Sequence, residues 1–386
     1  MDVQVKEIEI YHYKFPVKNK KFPCANHVLN GTIYFKVFTT NEIIGYGEPS
    51  SYFLDYKIIS KLVYKYLYPN LKNKNIFEIN LSQIKKKFLN KKNYFIISNL
   101  IAGLDQAIWD IKSKISKKNL SNYISNYNKI DRKIGLYASG GMIFNNQNTN
   151  VILKEALKFQ SIGFKGYKFR PPIPRNKLSH SDRMKNPPPI DIKKLVKLCE
   201  KLRINLKEDF KLMLDLGCRI NNFKDFYFLS DCLSELKFLF VEEPLKRNIN
   251  NYKIIHNKSK TKISFGESIA DKKDFIKWSN YVDIFQPDTN MITITELLEL
   301  KKVFKKLKKT VVFHNWANPI NMLFNFHLSS VFNSKLIEYN VTYNPAISLF
   351  LKEKFNIKNG FILINNKEGS GVNFNQNFVN KYSKKI

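Results

Sequence analysis

Three stretches decide how this chain folds: Lys211–Gly217 (KLMLDLG), Phe238–Leu245 (FLFVEEPL) and Lys262–Ser268 (KISFGES). Each is a short apolar run that closes on an acid, at Asp215, Glu242 and Glu267. The acids are 27 and 25 residues apart, about the length of one strand and one returning helix. Working outward, the same texture repeats. Upstream lie IGLYASG (134–140) and GYKFR (166–170). Downstream lie YVDIFQPD (281–288), TVVFHNW (310–316) and LIEYN (336–340). Helical patterns such as ITITELLELKKVFKKL (292–307) separate them. The steps Glu267–Asp288, Asp288–His314 and His314–Glu338 are 21, 26 and 24 residues. Only Lys168–Asp215 is longer, at 47, and a Pro-rich insertion (170–189) accounts for the excess. Eight parallel strands at this period predict an α/β fold with a TIM-type barrel. A doubly wound sheet is the alternative, but it usually has fewer strands.

The first 130 residues read differently. Segments 3–15, 31–40 and 42–50 alternate as strands, the last two forming a hairpin around Asn41. Residues 98–116 (SNLIAGLDQAIWDIKSKIS) place Ile101, Leu104, Ile108 and Ile111 at helical spacing. This is the pattern of a small α+β domain.

The 386 residues are 44% hydrophobic, enough for a large core. No run of about 18 apolar residues predicts a membrane span, and the N-terminus lacks the apolar core of a signal peptide. Cys24, Cys199, Cys218 and Cys232 show no CxxC spacing and read as reduced thiols. A cytoplasmic protein with no membrane partner is expected. The net charge of +33 invites a nucleic-acid reading. Its alternative is compositional drift, since Lys, Asn, Ile, Tyr and Phe are all abundant. The lysines are dispersed and form no basic arm, so no nucleic-acid partner is expected. The positive field would still draw in a small anionic substrate.

One acid at a strand end is ordinarily a helix cap or a lysine partner. Three on adjacent strands form a hard-oxygen set suited to Mg²⁺. Glu243, beside Glu242, would point the other way. Lys168 and Arg170 are two apart and share a face. The barrel interior is expected for them, with Tyr167 and Phe169 packing outward. Asp288 and His314 end neighbouring strands, where a carboxylate on one imidazole nitrogen raises the basicity of the other. Glu338 ends strand eight and could hydrogen-bond a substrate oxygen or simply balance nearby cations. Together these residues suit removal of a proton beside a metal-held carboxylate, with the metal and the strand-two cation stabilising the enediolate.

At this point the chain resembles the enolase superfamily, in its mandelate racemase/muconate lactonizing enzyme family. The matching pieces are AGLDQAIWDIKSK (102–114), GYKFR, MLDLG, VEEPL, FGES, FQPD, HNW and IEYN, in that order and spacing. The resemblance implies a capping domain at 1–130, a (β/α)₇β barrel at 131–345 and a C-terminal segment, 346–386, returning to the cap. It implies Asp215, Glu242 and Glu267 as Mg²⁺ ligands, Lys168 as a contact to the substrate carboxylate, Asp288–His314 as a catalytic dyad and Glu338 as a substrate contact. A homo-oligomer, dimer or octamer, is implied in the same way. Two positions depart from the family. Its KxK motif here ends in Arg170, a poor proton acceptor, and Gly217 stands where Asn is usual.

Racemisation is easiest with a base on each face of the carbon, and only His314 is a convincing base. The expectation is therefore an acid-sugar dehydratase giving a 2-keto-3-deoxy acid. A racemase, epimerase or lactone cycloisomerase is the runner-up, and a non-catalytic nucleic-acid-binding barrel the remote third. Specificity is expected from the loop Pro16–Gly31 (with Phe22, Asn26 and His27) and from Ser50–Tyr56 (with Tyr52). The insertion would add a second wall through Arg175, His180 and Arg183. A basic wall would suit a diacid such as an aldarate.

Overall fold

Alternation along the barrel strands sets the position of everything at the site. The computed structural model describes residues 2–15, 32–50, 56–88, 90, 93–126, 133–144, 147–173, 188–316, 318–342 and 344–386. The capping domain begins with an antiparallel sheet of β1 (Val5–Tyr13), β2 (Thr32–Thr39) and β3 (Ile44–Gly47). Helices α1 (Tyr56–Leu62), α2 (Leu81–Phe88), α3 (Tyr94–Ile115) and α4 (Leu120–Ser125) follow. Ile101, Leu104, Ile108 and Ile111 of α3 are buried with Ile8, Ile10, Ile33 and Val37 of the sheet. Strand β3 carries glycine at alternate positions because α3 lies almost against its backbone. A Cβ at Gly47 would sit 1.9 Å from the Gly103 carbonyl oxygen, and one at Gly45 2.2 Å from that of Ala107.

The barrel runs β4 (Lys133–Gly140), α5 (Asn150–Ser161), β5 (Gly166–Phe169), α6 (Ile192–Asn205), β6 (Lys211–Asp215), α7 (Phe223–Glu235), β7 (Phe238–Glu242) and α8 (Ile249–His256). It continues through β8 (Ile263–Phe265), α9 (Lys272–Trp278), β9 (Ile284–Phe285), α10 (Ile294–Lys306), β10 (Thr310–Val311), α11 (Pro319–Val331) and β11 (Leu336–Asn340). Eight strands and seven helices make the (β/α)₇β barrel. Most of its helices start on a side-chain cap: Asp191, Asn222, Asn248, Asp271 and Thr293 each accept a backbone N–H of the first turn.

Neighbouring strands β4 to β10 pair in parallel, and β11 pairs with the other edge of β4. Among the described residues no ladder joins β10 to β11. Side chains close that seam instead: Ser334 Oγ donates to the Val311 carbonyl at 2.8 Å, and Asn315 N donates to Glu338 Oε2 at 2.9 Å. Inside the barrel, Tyr137, Met213, Phe240, Ile284 and Val312 form an apolar layer. Two residues further along each strand, the same inward face presents Ser139, Asp215, Glu242, Gln286 and His314. The polar layer therefore stands on an apolar floor.

After β11 the chain adds α12 (Ala346–Leu349) and the hairpin β12 (Ile357–Lys358) and β13 (Phe361–Leu363), then α13 (Gln376–Tyr382) and β14 (Ser383–Lys385). Strand β13 pairs antiparallel with the start of β4, and β14 with β1. The cap docks on the barrel through polar contacts. Asp105 accepts Thr295 N and Oγ1, Trp109 Nε1 donates to Thr295 Oγ1, and buried Lys85 binds Glu296 at 2.9 Å and the Ala270 carbonyl. Among the described residues no helix is long and apolar enough to cross a membrane.

Two consequences are measurable. Gly47→Ala should cost about 1–3 kcal/mol through overpacking, read as a lower urea midpoint at unchanged slope. His327, buried between Ser121 and the Ser370 carbonyl, has its pKa pushed down by burial from 6.5 to about 4. As pH falls from 6.5 toward 4, the unfolded chain takes up a proton that the folded one refuses, so stability drops in that window. His327→Asn should flatten the fall of the melting temperature there; an unchanged profile would contradict this origin.

Candidate active site at the barrel mouth

The polar layer collects acids from five strand ends. Asp215 and Glu242 are direct partners in the β6–β7 ladder. Glu267 lies just beyond β8, and Asp288 just beyond β9. Asp215, Glu242, Asp288 and Glu338 are all 3% exposed or less, and a buried carboxylate is costly unless answered by a cation. Each is answered. Lys168 Nζ lies 2.6 Å from Glu242 Oε2 and 2.8 Å from Glu338 Oε1. Arg170 Nε binds Asp215 Oδ2. Lys168 and Arg170 thus both face inward, while Tyr167 and Phe169 pack into the core outside the sheet. Gln286 Nε2 adds a second donor to Glu242 Oε2 at 2.7 Å.

His314 Nδ1 is 2.6 Å from Asp288 Oδ2, and its Nε2 is 3.3 Å from Glu267 Oε2. Burial opposes its charged form, but Glu338, Glu267 and Asp288 raise its pKa to about 10. The same attractions act on the acids. Against burial, His314, Arg247, Arg170 and Lys168 hold Glu267 down to about 2. Lys168 and His314 do the same for Glu338. Glu242 goes the other way. Burial, with Asp215, Glu338 and Glu267 nearby, pushes it up in spite of Lys168.

Glu243 does not continue the strand. Its φ of 44° turns the chain, and its carboxylate takes Arg247 Nε and Nη2 at 2.9 and 2.8 Å. Arg247 Nη2 also reaches Glu267 Oε1 at 3.1 Å, so Glu243 meets the site through an arginine. Gly217 has φ of 53°, a conformation that Gly or Asn adopts readily. Its N–H donates to Asp215 Oδ1 at 2.9 Å, so the backbone holds this acid where the family's amide is missing.

Asn26, His27, Tyr52 and Arg175 lie outside the described residues, as do Phe22, His180 and Arg183. The roots of the insertion are described, and one side chain grips both. Arg219 donates to the carbonyls of Pro171 at 2.8 Å, Pro172 at 3.1 Å and Pro188 at 3.0 Å. Sequence reasoning passed over Arg219, Arg247, Gln286 and Asn315. Gln286 had a usable signal, being two residues before Asp288 on the same strand face. The arginines had none, because each contact depends on how a loop turns.

Asp215, Glu242 and Glu267 are hard-oxygen donors on three neighbouring strands, which suits a divalent cation. Even counting Arg219 and a charged His314, the acids of the mouth outnumber its bases, so a further cation would balance them. Among the described residues, however, no three His, Cys, Asp or Glu side chains are gathered as a metal cluster. The carboxylates are turned to Arg170, Lys168, Arg247 and His314, and a metal would have to take their oxygens from these partners.

Residues 152–378 match the Enolase C-terminal domain-like family, and residues 25–124 the Mandelate racemase / muconate lactonizing enzyme N-terminal domain. The chain belongs to the mandelate racemase/muconate lactonizing enzyme family of the enolase superfamily. It is similar to the arabinonate dehydratase of Saccharolobus solfataricus, with 23% identity over 353 residues, 90% of this chain and 89% of the relative. Its fold is similar to the 3,6-anhydro-D-galactonate cycloisomerase of Zobellia galactanivorans, with a TM-score of 0.80, 20% identity and 99% of each chain covered. A mandelate racemase/muconate lactonizing protein of Paracoccus denitrificans, solved in complex with magnesium, superposes with a TM-score of 0.80 at 16% identity, covering 100% of this chain and 98% of that one.

Lys168→Met tests the charge balance. It leaves Glu242 and Glu338 without their shared cation, and in EDTA should cost about 3–5 kcal/mol, read as a lower urea midpoint. A midpoint equal to that of the wild type would show that these acids do not rely on Lys168.

Proposed function

We propose that the protein dehydrates a sugar acid, an aldonate or aldarate, to a 2-keto-3-deoxy acid. The observation that carries this reading is an asymmetry. One imidazole, its Nδ1 2.6 Å from Asp288, stands across from Arg170, which stays protonated at ordinary pH, and from Lys168, which Glu242 and Glu338 hold in its charged form against burial. The similarity to an arabinonate dehydratase supports it.

In this reading Asp288 accepts the Nδ1–H bond and turns Nε2 toward the substrate. With Glu267 given over to a cation, His314 would lose one of the attractions that hold it protonated; the neutral Nε2 then takes the α-proton, and the C–H electron pair passes into an enediolate. Lys168 and Arg170 lie where they would attract the substrate carboxylate. Asp215, Glu242 and Glu267 would hold Mg²⁺, which when bound supplies a Lewis acid for that carboxylate and offsets its growing charge. His314, now protonated at Nε2, returns the proton to the β-hydroxyl as the C–O bond breaks. Water leaves, and the enol product becomes the 2-keto acid. Glu338, bound to Lys168 and to Asn315 N, keeps that lysine charged and in place. Arg170 is a fixed charge here, which disfavours racemisation through two bases.

An acid-sugar library assayed with Mg²⁺ should give 2-keto acid from one or a few members. EDTA should abolish turnover and Mg²⁺ restore it. His314→Asn should lose about 10²–10⁴-fold in rate; full dehydration by that variant would remove His314 as the base. Exchange of the α-hydrogen with D₂O, without loss of water, would make the enzyme an epimerase or racemase instead.

A further inference from the structure

The side of Asp288 turned away from His314 is as carefully bonded as the side facing it. Asp288 Oδ1 accepts Asn321 Nδ2 at 2.7 Å, Asn325 Nδ2 at 3.0 Å and Asn290 N at 3.2 Å. Asn321 and Asn325 are one turn apart on α11 and wholly buried, in the otherwise apolar run PINMLFNF. Asn325 Nδ2 also reaches the His314 carbonyl at 3.0 Å, while its Oδ1 accepts Thr289 N at 3.1 Å. The network then leaves the barrel. Gln106 of cap helix α3 donates from Nε2 to Asn321 Oδ1 at 2.8 Å and to the Thr289 carbonyl at 2.9 Å. Gln106 Oε1 accepts Glu48 N at 2.8 Å, and Glu48 Oε2 accepts Asn321 N at 3.1 Å.

Each amide has one workable orientation. Turning Asn321 or Asn325 over would set an oxygen against the Asp288 carboxylate, and turning Gln106 over would set one against the Thr289 carbonyl. Asp288 can therefore rotate only by breaking bonds to two asparagines, one of which is held by the cap.

We propose that Gln106, Asn321 and Asn325 are positioning residues: the bonds of these three side chains, and not cap docking as such, lock the Asp288 carboxylate and so set the direction of His314 Nε2. The proposal rests on reading Asp288–His314 as the catalytic dyad. It makes the cap a working part of the dyad.

The test uses the full-length protein. In the wild type, the Nδ1 proton shared by His314 and Asp288 should give a proton resonance far downfield of the amides. Gln106→Ala and Asn325→Ala should shift or broaden it, and should lower kcat by about tenfold with KM little changed. Asp105→Asn, which weakens cap docking at Thr295 without touching Asp288, is the control and should leave both readings unchanged. An unmoved resonance and kcat in Gln106→Ala and Asn325→Ala would overturn the proposal. So would an equal loss in Asp105→Asn, which would make the network docking glue alone. If the wild type converts no acid sugar, the proposed function fails while the resonance still tests positioning.

Discussion

An excess of carboxylates at one end of a barrel is the constraint to which the rest of this structure answers. Apolar residues beneath them and the surrounding strands remove water, so their charges are poorly screened. Every acid is therefore tied down: Asp215 by Arg170 and Gly217 N, Glu242 by Lys168 and Gln286, Glu243 and Glu267 by Arg247, Asp288 by His314 and two asparagines, and Glu338 by Lys168 and Asn315 N. A divalent metal held at Asp215, Glu242 and Glu267 would compete with these bonds for the same oxygens. In the proposed function, two of the cations that satisfy the acids here, Lys168 and Arg170, also attract the substrate carboxylate.

The cap is bound into that arrangement. Its helix α3 serves two surfaces at once. One face is apolar and packs on the antiparallel sheet so closely that β3 must carry glycine. The other presents Asp105, Gln106 and Trp109 to the barrel. A polar interface of this kind is directional, because each buried donor must meet its acceptor. It specifies how the cap sits, where an apolar one would allow sliding. The same directionality connects Glu48 and Gln106 to the dyad.

Barrel membership was legible because each strand states its own face. An apolar run with a polar C-terminal end, repeated eight times, has few alternatives, and the inward positions follow from counting by two. That is why Lys168 and Arg170 could be placed inside and Tyr167 and Phe169 outside from residue order alone. The site was legible only to that depth. Asn321 and Asn325 left a trace, as two amides one turn apart in an apolar helix. Gln106 left none, sitting in a cap motif whose only apparent duty was packing. Arg219 reads as one more surface base in a chain of net charge +33, yet it is buried against proline carbonyls.

By itself, then, the sequence determined the barrel, the cap and the strand ends at which Asp215, Glu242, Glu267, Asp288, His314 and Glu338 stand. Local periodicity carries that information, since backbone geometry converts residue spacing directly into direction. Only the tertiary structure decided which base answers which acid, that a left-handed glycine holds Asp215, and that the cap reaches Asp288. Those outcomes depend on distances between residues up to 273 positions apart, as from Glu48 to Asn321. Close packing and the need to satisfy buried charge select them, and no local pattern encodes them.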